Sequence, residues 1–384
     1  MTATIPLGEL VTIRGGGTPS RGVPEFWNGN VRWATVKDFE STELAETQES
    51  ITEEGVRQSA TNVIPAGCVV VPTRMAVGKA AINTIDLAIN QDLKALLPTG
   101  EVDERFLLHF ILSKGQFLES RAQGATVKGI KLDLLRSLPF PRISRAQQRR
   151  LAAILDKADA IRRKREQAID LSDQFLRSLF LEMFGDPVTN SKSLLTRPLA
   201  AFGRIVTGNT PPRANPRNYG SHIEWIKSDN INTSEHLLTE ATEHLSIEGA
   251  RLGRVVPTGS VLVICIAGSP SSIGKAAIAD RDVALNQQIN AITPNAEVNQ
   301  FFLYTQFIVG QLLVQRASTN SMKGMVNKGA FQKIEFLCPT PEEQSRFGKY
   351  FESYINNNNT ISEARDLSAN LFSSLSQRAF RGGL

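Results

Sequence analysis

Long apolar runs are missing from this chain. Nothing in its 384 residues approaches the roughly 20 apolar residues that span a bilayer, and the longest stretches, such as 261–267, suit a buried strand. The opening MTATIPLGEL has neither a basic start nor an apolar stretch of signal length, so a cytoplasmic location is expected. Cysteine and histidine are scarce as well. Cys68, Cys265 and Cys338 lie far apart in apolar sequence with no CxxC pair, and only four histidines are present. That excludes a disulfide framework and a clustered zinc site, and leaves core packing as the expected role of the thiols. The sequence also lacks HExxH, GxSxG and a glycine-rich cofactor fingerprint. SPSSIGKA resembles a phosphate loop, but five residues rather than four separate Gly268 from Gly274, and Ala276 stands where a hydroxyl is required, as Ala80 does earlier in the chain. A turn glycine beside an exposed lysine is the expectation there. NTPP at 209–212 approaches the Pro-Pro tetrapeptide of adenine methyltransferases but is out of register. No catalytic role is expected of this chain.

What the sequence does hold is written twice. At a shift of 192, Pro6 and Leu7 fall on Pro198 and Leu199, Gly16 on Gly208, Thr18 and Pro19 on Thr210 and Pro211, Trp33 on Trp225, and Gly67 on Gly259. After an insertion of four residues near 269–272 the shift becomes 196. GKAAI at 78–82 then meets GKAAI at 274–278, Asn90 and Gln91 meet Asn286 and Gln287, and Leu171 and Leu179 meet Leu367 and Leu375. A period this long is a tandem pair of modules rather than a solenoid unit. Two like modules in one chain pack most simply about a pseudo-two-fold axis.

Each copy alternates β-rich runs with turns (VTIR, VRWATVK and NVIPAGCVVVP; then GRIVTGNTPP, HIEWIKSDN and RVVPTGSVLVICIA), followed by helical periodicity at 105–121 and 300–315. The fold class expected is mixed α/β. Each copy ends in a long tail, the first without proline from Ser144 to Phe184. In the first tail Ile154, Ala158, Ile161, Ala168, Ser172, Phe175 and Leu179 follow steps of four and three interrupted by Arg165; in the second, Tyr350, Tyr354, Ile361, Ala364, Ser368, Leu371 and Leu375 repeat them with polar Asn357 in the row. About 40 residues at about 1.5 Å each make a rod of roughly 60 Å, and antiparallel pairing of the two rods along these rows is expected. NNNNT at 356–360 lies inside the second rod and predicts a weak spot or kink. The expected boundaries are 1–142, 143–186, 187–340 and 341–384.

A net charge of +5 and a pI near 9.1 permit a nucleic-acid partner. Between 142 and 166 nine basic residues face three acidic ones, which suits a solvated helix face, phosphate contacts, or docking on an acidic surface. Polar residues repeated in the modules are candidates for matching base edges: Lys79 and Lys275, Asn90 and Gln91, Asn286 with Gln287 and Gln288, Lys128 with Lys323, and Lys227. Modules that read different half-sites should differ where they touch bases, which favours loops read as unshared, 21–30 with Arg21 and 213–221 with Arg213, together with Arg74 opposite Ile266.

GGGTPS at 15–20 and GNTPP at 208–212, each followed by Trp33 or Trp225, resemble the opening of target-recognition domains in type I restriction-modification specificity subunits. LFLEMFGDP after the first tail and LFSSLSQRAFRGGL at the end resemble the ends of that family's spacer helices. The resemblance covers essentially the whole chain. It implies two target-recognition domains, each reading one half of a split asymmetric duplex DNA site, separated by two antiparallel spacer helices. It further implies docking of two methyltransferase subunits carrying S-adenosylmethionine and of restriction subunits using ATP and magnesium, with no cofactor in this chain and no membrane partner. Two rival readings are a segment related to a fused restriction-methylation enzyme and a two-module protein scaffold that binds no DNA.

Overall fold

In the computed structural model, which describes residues 3–124, 127–231, 236–319 and 324–381, the β-branched runs of the two copies become the middle strands of two like sheets. Val69–Pro72 lies between Leu93–Pro98 and Ala81–Asn83, with Val11–Gly15 and Glu43–Leu44 outermost. Its counterpart Val261–Ile264 lies between Ile289–Pro294 and Ala276–Ile278, with Gly203–Thr207 outermost. Both runs are apolar at every position rather than alternating, because both faces are covered. Val69 and Val71 join a cluster with Phe106 and Phe110, whereas Val70 joins one with Ala34 and Ile89.

A second sheet in each copy is built on the tryptophan strand. Trp27–Ala34 pairs with Glu49–Ile51 on one side and, in parallel, with Leu87–Ile89 on the other, beyond which lies Asn62–Ile64. Tyr219–Ile226 has His244–Leu245, Val283–Leu285 and Arg254–Val256 in the same places. Trp33 pairs with Ala88 and Trp225 with Ala284, so the two registers found in the sequence are kept in the sheets. The turns of GKAAI follow suit: Gly78 and Gly274 take φ of +95° and +83°, a left-handed backbone that disfavours side chains. Neither is a phosphate loop opening a helix, since the strands Ala81–Asn83 and Ala276–Ile278 follow.

The helical periodicity at 105–121 and 300–315 resolves into two helices in each copy, Glu104–Ser113 with Gly115–Arg121 and Gln300–Val309 with Gln311–Arg316. Cys68 and Cys265 are buried and Cys338 is half-buried, as expected of core thiols. Burial pushes the Cys265 thiol up to about 12. Among the described residues no helix is long and apolar enough to cross a membrane.

The chain divides into two compact units, Met1–Glu166 with Glu363–Leu384, and Gln167–Ser362. Two long helices, Arg145–Phe184 and Pro341–Arg381, each contribute residues to both. Within the first unit Arg165 donates to the Ala364 carbonyl and to Ser368, while Leu151 and Leu155 share a cluster with Ala379. Within the second, Tyr354 donates to Asp173, and Phe180 and Phe184 lie 5.4 and 5.9 Å from Phe347. Rising numbers on one helix meet falling numbers on the other, so the pairing is antiparallel in each unit.

The row read from the sequence packs only in part. Ile154, Ala158, Leu179, Ile361 and Leu375 are half-buried and Tyr354 is buried, but Ile161, Phe175, Tyr350 and Leu371 are exposed. Their neighbours one position on do the packing: Leu155, Leu176, Phe180 and Phe351 are at most 3% exposed, and Phe372 is half-buried. One residue is about 100° of helix, so two apolar rows lie side by side and the inner one serves the units. Arg165, which breaks the series in the sequence, is the residue that reaches across. The backbone is helical without a break through the asparagines at 356–359, where the pattern predicts a weak spot. Packing on either side overrides the poor propensity of asparagine.

Candidate nucleic-acid interface

In each unit four loops meet at one edge, held by backbone hydrogen bonds that repeat. In the first unit Gly17 N–H donates to the Ile89 carbonyl, Thr73 N–H to Asp92, and Ile130 N–H to Thr73. In the second, Asn209 N–H donates to Leu285, Cys265 N–H to Gln288, and Val326 N–H to Cys265. The repeated glycine of the Gly-x-Thr-Pro motif is demanded by this meeting. A Cβ on Gly16 would lie 1.9 Å from the Ile89 carbonyl oxygen, and one on Gly208 2.0 Å from that of Asn286. The tryptophans close the same joint, Trp33 Nε1 donating to the Gly17 carbonyl at 3.1 Å and Trp225 Nε1 to that of Asn209 at 3.3 Å. Thr18 and Thr210 each donate a hydroxyl to the carboxamide of Gln91 or Gln287.

On this frame sits an arginine, placed alike in both units. The Arg21 guanidinium lies 3.7 Å from the Trp27 ring centre and 5.3 Å from that of Trp33; Arg213 lies 4.6 Å from Tyr219 and 4.9 Å from Trp225. Each is paired with a carboxylate, Arg21 through two nitrogens with Glu49 and Arg213 with Glu243 at 2.8 Å. Hydrogen bonding to Arg21 holds the Glu49 carboxyl below the ordinary range; bonds from Lys227, then Arg213, do the same for Glu243. The arginine side chains nevertheless stay more than half exposed, at 56% and 55%. An arginine stacked on aromatic faces and gripped by a carboxylate has little rotamer entropy left to lose, and its outward N–H groups are ready for an acceptor.

These two arginines are not in unshared loops, as the sequence comparison has it. They coincide at the shift of 192, as do Trp27 and Tyr219, and that coincidence is the signal that identifies the arrangement. Glu49 and Glu243 escape notice because their separation is 194, the hairpin between them and the tryptophan strand having a different length.

The other candidates separate by burial and partner. Asn90 and Asn286 are buried, their side-chain oxygens accepting the N–H of Asp92 and of Gln288, so they shape the turn rather than meet a base. The exposed tips of those turns are Gln91 and Gln287. Gln288 is half-buried and accepts from Asn286 and Ser228. Lys79 donates to the Phe39 carbonyl at 3.1 Å, Lys227 is tied to Glu243, and Lys275 is half-buried. Lys128 and Arg74 are exposed on the loop edge of the first unit. Lys323 lies outside the described residues.

Most of the basic run is spent within the first unit. Arg145 and Arg149 face Glu104 and Asp103, Arg162 and Arg163 share Asp159, and Arg165 turns onto the second long helix. Arg150, Lys157 and Lys164 recur at every seventh residue on exposed positions. In the second unit a polar knot escapes sequence reasoning: buried His236 lies 2.9 Å from the hydroxyls of both Tyr304 and Tyr354 and 3.3 Å from Asp173. Burial raises the Asp173 pKa, but hydrogen bonds from His236 and Tyr354 outweigh it and hold the carboxyl below its usual range. The knot fastens the loop at 236–238 to both long helices.

A frame of four loops repeated in two mixed α/β units, each bearing one preset arginine, defines a two-module recognition protein. The family model described as the type I restriction modification DNA specificity domain matches residues 2–171 and 196–368, so the chain belongs to that family. It is similar to the type I restriction enzyme EcoR124I/EcoR124II specificity subunit of Escherichia coli, 34% identical over 162 residues, which are 40% of each chain. It is also similar to the HindI specificity subunit of Haemophilus influenzae, 30% identical over 181 residues, 44% of this chain and 38% of that one. The chain thus aligns with about two fifths of the length of these relatives. Among solved structures, an S subunit of a type I restriction-modification system from M. genitalium shares the fold, with a TM-score of 0.63 at 13% identity over 99% of this chain and 96% of that one. A chain of another type I system gives a TM-score of 0.55 at 17% identity over 99% and 98%.

Proposed function

We propose that this protein is the non-catalytic DNA-reading subunit of a type I restriction-modification enzyme, and that each unit reads one half of a split, asymmetric duplex site. The observation that carries this is the duplicated arginine, stacked, carboxylate-bound and half exposed at the same place in both units. A shared arginine serves what both half-sites have in common, the phosphate backbone, while differing loop residues around it serve what distinguishes them. A scaffold that binds only proteins leaves these arginines without a purpose.

The exposed apolar row of the long helices is the proposed seat of two methyltransferase subunits. Leu171 and Phe175 on the first helix coincide at the shift of 196 with Leu367 and Leu371 on the second, and all four are more than half exposed. Two equal patches suit two equal partners. Those partners hold S-adenosylmethionine, and restriction subunits joining the assembly use ATP and magnesium, all of them in the cytoplasm.

The test is to co-express the chain with the methyltransferase subunit of its system in a methylation-free host and map modified bases across the genome. A split motif with a fixed gap is the expected result. An undivided motif, or no modification with folded subunits, contradicts the proposal.

A further inference from the structure

The two units agree at Arg21 and Arg213 but differ at another place on the same loop edge, where the backbone contacts are repeated and the side chains are not. Arg74 and Ile266 coincide at the shift of 192. Arg74 bridges to the backbone of Gly129, and Ile266 pairs with Met325, which is Gly129 shifted by 196. The residue before each is held by the same contact, Thr73 N–H to the Asp92 carbonyl and Cys265 N–H to that of Gln288. The backbone is therefore common and only the side chains differ.

The difference is coordinated. Arg74, 63% exposed, has a terminal nitrogen 3.7 Å from the carboxylate of Asp92, itself 11% exposed and anchored through its N–H to Asn90. In the second unit the arginine and its carboxylate are replaced together, Arg74 by Ile266 and Asp92 by Gln288. Gln288 carries no charge and accepts instead from Asn286 and Ser228. A carboxylate placed behind an exposed arginine orients its planar fork toward a bidentate acceptor, and an arginine found in one unit only suits what distinguishes the half-sites rather than the phosphate backbone they share. The O6 and N7 of guanine in the major groove are the base edge that such a fork matches, whereas an isoleucine beside a methionine that is 39% exposed matches the thymine methyl.

We propose that Arg74, steered by Asp92, reads a guanine in the half-site of the first unit, and that Ile266 contacts a thymine methyl at the corresponding place in the other half. This rests on the DNA-reading function proposed above and deepens it to base identity.

The test uses the full chain co-expressed with its methyltransferase subunit, comparing the methylated motif of the wild type with those of Arg74→Ile, Arg74→Lys and Ile266→Arg, each purified chain also being checked for its melting temperature. Arg74→Ile is expected to relax one guanine in one half, discrimination there falling on the order of 10- to 100-fold, with the other half unchanged. Arg74→Lys, which keeps the charge without the fork, is expected to relax the same base partly, and it carries the test should Arg74→Ile not fold. Ile266→Arg is expected to replace a thymine by a guanine in the opposite half. Unchanged motifs overturn the inference and leave the DNA-reading function standing. Loss of all methylation by Arg74→Ile with a wild-type melting temperature makes Arg74 a general contact and also overturns it. A wild type that yields no split motif overturns the underlying function, and the inference with it.

Discussion

With Phe175 and Leu371 both changed to aspartate, the chain is expected to fold normally and to lose the methyltransferase subunits proposed to dock there. The two side chains are 62% and 56% exposed, so neither substitution opens a cavity, and the cost to folding is expected to stay within about 0.5 kcal/mol. Binding is another matter. Leu171 and Leu367, one turn earlier, are 56% and 70% exposed, so each patch offers two large, mostly exposed apolar side chains. Covering a side chain of this size contributes roughly 1.5–3 kcal/mol, and an aspartate must instead be desolvated unpaired. A loss of affinity of at least about 100-fold per patch follows from hot-spot magnitudes. Light scattering of the co-purified complex reads the outcome: either single variant should retain one methyltransferase subunit and the double variant none. A double variant that keeps two subunits shows that these patches are not the seats.

Phe180→Ala, five residues along the same helix from Phe175, is expected to do the opposite. Its ring is fully buried, 5.1 Å from Phe184, 5.8 Å from Phe302 and 5.4 Å from Phe347, and so ties the first long helix to the helix Gln300–Val309 and to the second long helix. Removing a buried phenylalanine costs about 3–5 kcal/mol, which for a unit of this size lowers the melting temperature by roughly 6–20 °C. Urea unfolding followed by near-ultraviolet dichroism measures it, with the exposed Phe175→Ala as the control. Equal losses from the two phenylalanines contradict the assignment of an inner and an outer row.

The pair of phenylalanines also marks how far the sequence could be read. Duplication was legible because Trp33 and Trp225, the turn glycines and GKAAI recur at two fixed shifts, and the family model spans both copies. The long tails were legible from their length without proline. Which face of each tail turns inward was not, because apolar residues occupy two adjacent rows and periodicity alone does not choose between them. Burial decides it, and burial comes from residues distant in sequence, Phe302 and Phe347 against Phe180, Phe106 against Ala379.

The candidate interface was legible in part. Several repeated polar residues lie on the loop edge, yet Asn90 and Asn286 repeat because both turns need the same internal hydrogen bond. Arg21 and Arg213 repeat in loops of largely different sequence, where the shared arginine gains weight once Glu49 and Glu243 are seen beside it. His236 gave no signal at all, since its partners Asp173, Tyr304 and Tyr354 lie between 63 and 118 residues away.

The central claim is that two units of one chain read two half-sites independently. Exchanging residues 1–142 for the corresponding segment of another family member, then mapping methylated bases in cells that also make the methyltransferase subunit, tests it most directly. The expected motif keeps one half and the gap of the original and acquires a new other half. A motif altered in both halves would contradict the claim.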